Sequence, residues 1–274
     1  MSSRPQPPAS LVERIKPLVM NPRFAWWIGH CIVTISTFFY FYNKVFGSAA
    51  SAQSWYSKIY IGVLISYGIT VWKTYGVPQF NSAFLQRVFM DDNVHYMLMG
   101  LLWYISPSLF VTVIPFAVYS LFHVIDFARV TLLPTIFPDI NSTTRSAGGS
   151  QAANLAKGMK HFKDTYYDAA MKNVAKVEVI GVMGLQLLGA ITFQLSPIGT
   201  LFYANFLRIR YHLSPHVRQT FAEVRGFLDK HLLPPTANPK IPAMVSKVYT
   251  FARDGIISYG QPIVRQPEPQ AASQ

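Results

Sequence analysis

The residues with the clearest potential for chemistry are an acidic pair and a histidine that precede an apolar segment. Asp91, Asp92 and His95 fall within about one helical turn, and carboxylate and imidazole groups at that spacing can bind a metal ion. His123 and Asp126 lie at a similar spacing further along the chain. At the ends of apolar segments such groups more often cap helices, and negative charge suits a helix N-terminus. We therefore predict no metal site, no catalytic residue and no cofactor.

Enzyme motifs give no further support to a catalytic function. The sequence contains no nucleophile elbow, phosphate-binding loop, zinc-protease helix or dinucleotide-binding loop. Glu178 stands at the start of the last long apolar segment, where a carboxylate can reach the membrane interface. We interpret it as an interfacial residue, with a buried functional acid as the alternative.

The elements that must position these residues are those of a membrane protein. Hydrophobic residues make up 51% of the 274 residues and charged residues 13%, against about 25% in an ordinary soluble domain. The net charge of +12 predicts attraction to anionic lipid headgroups and no direct contact with nucleic acid, because half of the chain is too apolar for a solvated basic arm. A single cysteine, Cys31, excludes an intrachain disulfide.

Four apolar segments define a membrane domain over residues 24–207, after an N-terminal segment 1–23: they are 24–46, 55–77, 94–125 and 177–207. The first is too long for a signal peptide and has no cleavage pattern, so we interpret it as a retained transmembrane helix. The second follows as another transmembrane helix, with Lys58 and Lys73 able to extend their charges out of the core.

Proline interrupts the third apolar segment. Pro107 and Pro115 lie within it, and a break at Pro107 leaves arms over residues 94–105 and 109–125. Each arm would be about 18 to 26 Å long as a helix, which is shorter than or barely equal to the hydrocarbon thickness. A hairpin that returns to the side it entered fits these lengths. The alternative is one long, tilted, proline-kinked span.

The charge pattern favours the hairpin. Segment 129–176 is a basic loop with seven cationic residues, which are Arg129, Arg145, Lys157, Lys160, Lys163, Lys172 and Lys176. Short basic loops remain cytoplasmic, and the N-terminal segment is basic as well. After two spans, only an even number of crossings, or none, keeps this loop on the cytoplasmic side. Pro197 breaks segment 177–207 in the same way, so a second hairpin leaves both termini cytoplasmic.

The region 208–260 contains two amphipathic patterns. Apolar residues recur at helical spacing first at Val217, Phe221, Val224, Leu228 and Leu232, and again at Met244, Val248 and Phe251. We predict that these residues contact the membrane and that lipid headgroups or a partner bind four basic residues, Arg208, Arg210, Arg218 and Arg225. Packing of the first stripe on the protein itself is an equal alternative. The tail 261–274 is predicted to be disordered.

The fold class that follows is an all-α integral membrane protein with two transmembrane helices, two Pro-broken hydrophobic hairpins and C-terminal amphipathic interfacial helices. Three runs carry a resemblance to a known family: FLQRVFMDDNVHYMLMGLLWYISPSLFVTVIPFAVYSLFH (residues 84–123), and later NFLRIRYHLSP and TFAEVRGFLDKHLLPP (residues 205–215 and 220–235). This pattern resembles the transmembrane protein 33 family, whose fungal members form the pore-membrane and ER proteins of the Pom/Per group.

The resemblance implies a location in the endoplasmic reticulum membrane and nuclear envelope, and no enzymatic activity. It also implies reticulon-type membrane proteins as partners, possible contacts with nucleoporins and an importin-type receptor, and a role in ER tubule architecture and in nuclear pore distribution or assembly. Hairpins and shallow amphipathic helices in one leaflet would favour membrane curvature, which agrees with such a role. A membrane scaffold without shaping activity is the alternative, and a multi-pass enzyme is a weaker one.

Overall fold

The computed structural model describes residues 10–79, 81–142 and 146–261, and this part of the chain is helical and contains no strand. The all-α prediction is therefore confirmed. The chain divides into two compact units, Met1–Tyr203 and Ala204–Gln274. The tail is predicted to be disordered, but its residues from 262 onward lie outside the described part of the chain. Residues 1–9 of the N-terminal segment lie outside it as well.

Helices α1 (Leu11–Val19), α2 (Pro22–Phe46) and α3 (Ala49–Tyr75) open the first unit. The backbones of α2 and α3 approach closely where Gly29 faces Gly62. A Cβ atom built on Gly62 would lie 2.7 Å from the Gly29 carbonyl oxygen, so glycine is required for this approach. Helix α3 begins at Ala49, earlier than the predicted span 55–77, because the Ser48 side chain caps it.

Helix α4 (Ser82–Phe89) leads to α5 (Asp92–Ile105), and a non-helical break at residues 106–109 follows. A 3-10 turn, Phe110–Thr112, then opens α6 (Val113–Phe127), which continues through a π-helical turn, Ala128–Leu132, into α7 (Leu133–Ile136). The break at Pro107 is thus present. Pro115 lies in the first turn of α6, where proline is tolerated, so its predicted role as a hairpin break is wrong.

The chain reverses direction between α5 and α6. The Tyr75 hydroxyl at the end of α3 donates to the Asp91 carboxylate just before α5, at 3.0 Å. At the other arm, the Trp27 indole N–H near the start of α2 donates to the Val124 carbonyl, at 3.3 Å. Both arms therefore have their outer ends at the same end of the α2–α3 pair. A single kinked span would end at the opposite side, so that alternative is wrong.

Within the described part of the chain, three helices are long and apolar enough to cross a membrane: Pro22–Phe46, Phe110–Ile136 and Ala147–Ile191. The second arm of the first hairpin therefore extends beyond its predicted end at residue 125, and it is no longer shorter than the hydrocarbon thickness. Helix α3 contains 27 residues but is not among the three. Its many Ser, Thr and Tyr residues lower its hydropathy.

Helix α8 (Ala147–Lys176), a π-helical turn (Val177–Val182) and α9 (Met183–Ile191) form one continuous helix of 45 residues. Most of the predicted basic loop 129–176 is thus helical and continuous with the second hairpin. The chain turns at residues 192–196, and α10 (Pro197–Leu213) runs back along α9, since the Thr200 hydroxyl donates to the Gln186 carbonyl at 3.2 Å. The predicted break at Pro197 is present. Helices α11 (Pro215–Leu232) and α12 (Ala243–Tyr259) complete the second unit.

Candidate membrane-binding surface

The pairing of α11 with α12 is polar and centres on Asp229. Its Oδ1 atom accepts a 2.6 Å hydrogen bond from the Tyr249 hydroxyl and lies 3.3 Å from Arg253 Nη1, while its Oδ2 atom lies 3.4 Å from Arg225 Nε. The Ser246 hydroxyl adds a bond to the Leu232 carbonyl, at 2.7 Å. The side of α12 that faces α11 is therefore its polar side.

The Asp229 contacts also change acidities. The hydrogen bond from Tyr249, followed by those from Arg253 and Arg225, lowers the pKa of the Asp229 carboxyl below its usual value. Desolvation, followed by the hydrogen bond to Asp229, raises the pKa of Tyr249 to about 12. The carboxylate and the neutral phenol are thus the forms that hold α12 against α11.

The opposite side of α12 is apolar and uncovered. Met244, Val248 and Phe251, which share one helix face by their spacing, are all exposed, and Phe251 is 85% exposed. In an ordinary surface helix the apolar side faces the protein. The arrangement in α12 is the reverse of that pattern, which is typical of a helix whose apolar side contacts lipid or a partner.

The predicted apolar stripe of α11 is largely covered. Val217 is fully buried, and Phe221, Val224, Leu228 and Leu232 are half-buried. The Tyr211 ring contacts the Phe221 ring, with 5.7 Å between centroids. The alternative that this stripe packs on the protein is the one that fits, so these five residues do not enter the membrane-binding proposal below.

The four predicted basic residues occupy different environments. Arg218 and Arg225 are exposed, and Arg218 donates to the His212 carbonyl at 3.0 Å. The Arg208 guanidinium is half-buried over the Tyr259 ring, 4.7 Å from its centroid, and donates to the Gln261 carbonyl. Arg210 is only 7% exposed, so the prediction that it binds headgroups at the surface does not fit. Arg208 and Arg210 are only two residues apart, so the sequence alone does not predict which of the two guanidinium groups is buried.

The Asp and His residues considered for metal binding have structural roles. Asp91 Oδ1 caps α5 by accepting from the Asn93 and Val94 N–H groups at 2.7 and 3.3 Å. His95 Nδ1 lies 2.8 Å from the Asp91 carbonyl oxygen. Asp126 pairs with Arg129 at 2.8 Å and with Lys163 at 3.1 Å. Among the described residues, no group of three or more His, Cys, Asp and Glu side chains could hold a metal ion.

Glu178 departs most from its sequence interpretation. It is 1% exposed, inside the first unit, and its Oε1 atom accepts a 2.7 Å hydrogen bond from the Tyr96 hydroxyl. The Tyr96 hydroxyl also lies 2.9 Å from that of Tyr119, and the Tyr203 hydroxyl donates to the Glu178 carbonyl at 3.0 Å. The interfacial interpretation is therefore wrong. In the sequence, the one sign of this burial is that Glu178 is a single acid followed by an uninterrupted apolar run.

Comparison with known proteins places this chain among one family of membrane proteins. A family model described as transmembrane protein 33/nucleoporin POM33 matches residues 5–262. "Nucleoporin POM33" of Chaetomium thermophilum is 29% identical over 91% of this chain and 92% of its own length. "Tetra-spanning protein 1" of Schizosaccharomyces pombe is 27% identical over 96% and 94% of the two chains, and "Pore membrane protein of 33 kDa" of Saccharomyces cerevisiae is 25% identical over 94% of each. No solved structure gives a significant match.

Proposed function

Because this chain belongs to the transmembrane protein 33/nucleoporin POM33 family, we propose that it is a multi-pass protein of the endoplasmic reticulum and nuclear envelope that shapes and organises membrane around nuclear pores. Two of its relatives are named as a nucleoporin and a pore membrane protein, and both align along nearly their whole length. Three helices of spanning length and hydropathy support a membrane location. Both termini are proposed to be cytoplasmic, because the basic segments flank the spans on one side.

The shaping mechanism that we propose is asymmetric insertion. The observation that carries it is the reversed amphipathicity of α12, whose polar side pairs with Asp229 while Met244, Val248 and Phe251 remain exposed. A helix that inserts this face among the headgroups adds area to one leaflet only. The first hairpin supports the same effect, because its first arm, α5, has 14 residues and is about 21 Å long, which is shorter than the hydrocarbon thickness.

The direct partners that we propose come from the family resemblance. It suggests reticulon-type membrane proteins, nucleoporins and an importin-type receptor. Exposed cations near α12, of which Lys247 is one, suit anionic lipid or an acidic partner surface.

The experiment that tests shaping compares protein density on vesicles of different diameter. Purified full-length protein is labelled, reconstituted at low density into fluid vesicles that contain anionic lipid, and imaged vesicle by vesicle. We expect a density that rises severalfold as vesicle diameter falls. Phe251→Asp should reduce that preference, whereas Gln219→Asp, which places an acid at an exposed polar position of α11, should retain it.

A density that is independent of diameter for the unaltered protein would contradict membrane shaping. That outcome would favour the scaffold alternative, in which the protein binds another membrane protein without shaping activity. Equal loss of preference in both variants would contradict the role of the apolar face and leave added charge as the cause.

A further inference from the structure

Helix α1 is a short amphipathic helix that precedes the first apolar segment. Ser10 and Glu13 form a capping box at its start, with the Ser10 N–H donating to Glu13 Oε2 at 2.7 Å. Its C-terminal residue, Val19, lies close in sequence to Pro22, where the membrane-spanning helix α2 begins. Any position of α2 in a bilayer therefore places α1 near the bilayer surface.

Arg14 fixes α1 to the end of the first hairpin. Its Nη1 atom donates to the carbonyl oxygens of Thr135 and Ile136, at 3.0 and 3.1 Å. These carbonyls close helix α7, so a cation there also interacts favourably with the helix dipole. The half-buried residues Ile15 and Leu18 lie beside Arg14 on the helix. Helix α1 is thus held in one orientation.

That orientation leaves apolar residues of α1 uncovered. Val12 is 74% exposed, and Val19, about two turns later on the same side, is exposed as well. Lys16 is exposed between them. An exposed apolar edge with a lysine alongside is the pattern of a helix in the headgroup plane, where the long lysine stem extends the charge toward water.

Helix α4 repeats this arrangement. Asn81 caps it by accepting from the Phe84 N–H at 2.8 Å, and the buried Phe84 ring packs on Tyr75, with 5.8 Å between centroids. Leu85 is 52% exposed, and Phe89, one turn later, is exposed too. Arg87 is an exposed cation on the same helix.

Helices α1 and α4 lie at the same end of the first unit. The Ser66 hydroxyl donates to the Trp26 carbonyl at 3.1 Å, which aligns the start of α2 with the last third of α3. Helix α4 follows the end of α3, and α1 precedes the start of α2. Trp26 and Trp27 mark this end, as interfacial tryptophans do in spanning helices.

We infer that α1 and α4 form an interfacial collar, defined by Val12, Val19, Leu85 and Phe89, which lies in the headgroup layer of one leaflet around the bundle. The occupant is the bilayer, because α1 leads directly into a membrane-spanning helix and because Lys16, Arg23 and Arg87 lie beside the apolar residues. This inference rests on the proposed function and deepens it, since the collar adds area to the leaflet that it occupies. It does not depend on α12.

The test measures lipid contact at single positions of the full-length protein. Cys31 is replaced by serine, and an environment-sensitive fluorophore is attached at Val12→Cys or Leu85→Cys in vesicles containing phosphatidylserine. Matched controls are Pro17→Cys, on the other side of α1 from Val12 and Val19, and Gln86→Cys on α4, and both positions are exposed. Lipids with a nitroxide quencher near the headgroup or deep in the acyl chain report depth.

We expect the shallow quencher to reduce emission at Val12→Cys and Leu85→Cys at least twofold more than at the two controls, with the deep quencher less effective. If neither quencher reduces the emission at any of the four positions, the inference of an interfacial collar is overturned. Disulfide crosslinking between copies at Val12→Cys without lipid quenching would overturn it too, because a second copy would then cover the residue. Neither result affects the vesicle-diameter test of Phe251→Asp, so failure of the collar and failure of membrane shaping are distinguishable.

Discussion

The Tyr96 hydroxyl donates a 2.7 Å hydrogen bond to the Glu178 carboxylate, and this bond joins the first hairpin to the second. Tyr96 belongs to α5, and Glu178 belongs to the π-helical turn that precedes α9. Such turns alter the direction of side chains within a helix and occur frequently at functional positions. Here the turn places the buried carboxylate of Glu178 between the apolar segments 94–125 and 177–207, which are far apart in the sequence.

Loss of this bond should weaken the packing between the hairpins. We predict that Tyr96→Phe lowers the free energy of unfolding by about 1–2 kcal/mol, because a buried acceptor loses a donor. Unfolding by SDS titration in mixed micelles measures it. Tyr104→Phe, at an exposed position of the same helix, is the control and should change the midpoint little. Equal midpoints for both variants would show that the Tyr96 hydroxyl contributes nothing to stability.

The close approach of α2 and α3 should tolerate no side chain at Gly62. We predict that Gly62→Ala destabilises the protein by about 1–3 kcal/mol, because its Cβ would lie 2.7 Å from the Gly29 carbonyl oxygen. Gly68→Ala on the same helix meets nothing within 4 Å and should be neutral or stabilising by up to about 1 kcal/mol. The same SDS titration compares them. Two variants of equal stability would contradict the close approach of the two backbones at Gly62.

The pairing of α11 with α12 should depend on pH through Asp229. Its pKa is lowered in the folded state by Tyr249, Arg253 and Arg225. Because the carboxyl pKa is lower in the folded state, the ionised carboxylate contributes its full stabilisation above the unfolded-state pKa of about 3.9. That stabilisation is lost as pH falls through the folded-state pKa. Spin labels at Ala222→Cys and Ala252→Cys, in a Cys31→Ser background, should report a narrow distance distribution at pH 7 that broadens as pH falls through the lowered pKa of Asp229.

Two variants provide the controls for this titration. Asp229→Asn should already broaden the distribution at pH 7, and Asp254→Asn, which leaves the Asp229 contacts in place, should titrate like the unaltered protein. A distribution that stays narrow at pH 7 in Asp229→Asn would rule out Asp229 as the group that holds the helices together.

Arg14 should control the order of α1. We predict that Arg14→Ala accelerates amide hydrogen exchange across Leu11–Val19 at least tenfold, because the bonds to Thr135 and Ile136 are lost. Exchange is measured by mass spectrometry of the full-length protein in nanodiscs. Arg23→Ala removes an exposed cation in the first turn of α2 and should leave this exchange unchanged. Equal protection in both variants would mean that apolar contacts alone hold α1.

The sequence is sufficient for the class of fold and for the positions of the two chain reversals, because apolar length and proline position are local signals. Pro107 and Pro197 mark both reversals, whereas Pro115 does not interrupt its helix, since the first turn of a helix needs no donor from that residue. Helix α1 is hard to recognise because it has only nine residues and Pro17 lies within it. Its position depends on a contact between Arg14 and residues more than 100 positions away, which no local pattern reveals.

The candidate membrane-binding surface is predictable only in part, because its apolar spacing is a local signal whereas its exposure depends on tertiary packing. Periodicity finds Met244, Val248 and Phe251, but it finds Val217 equally well, and only tertiary packing separates an exposed stripe from a buried one. The sequence favours an interfacial position for Glu178 and Arg210 because isolated charges usually lie there. Their burial depends on which helices surround them, and the local sequence does not specify that.

Both proposals depend on one claim: the first hairpin returns to the cytoplasmic side, which carries the basic helix α8 and the collar. Glycosylation mapping in microsomes tests it most directly, with mobility shifts after endoglycosidase H. Asn141 is a natural acceptor in the sequence, and an identical Gly/Ser-rich acceptor insertion is placed either after Ser48, between α2 and α3, or after Ser142. We predict modification of the insertion after Ser48 alone. Modification at Asn141 or after Ser142 would place this region in the lumen and contradict the account.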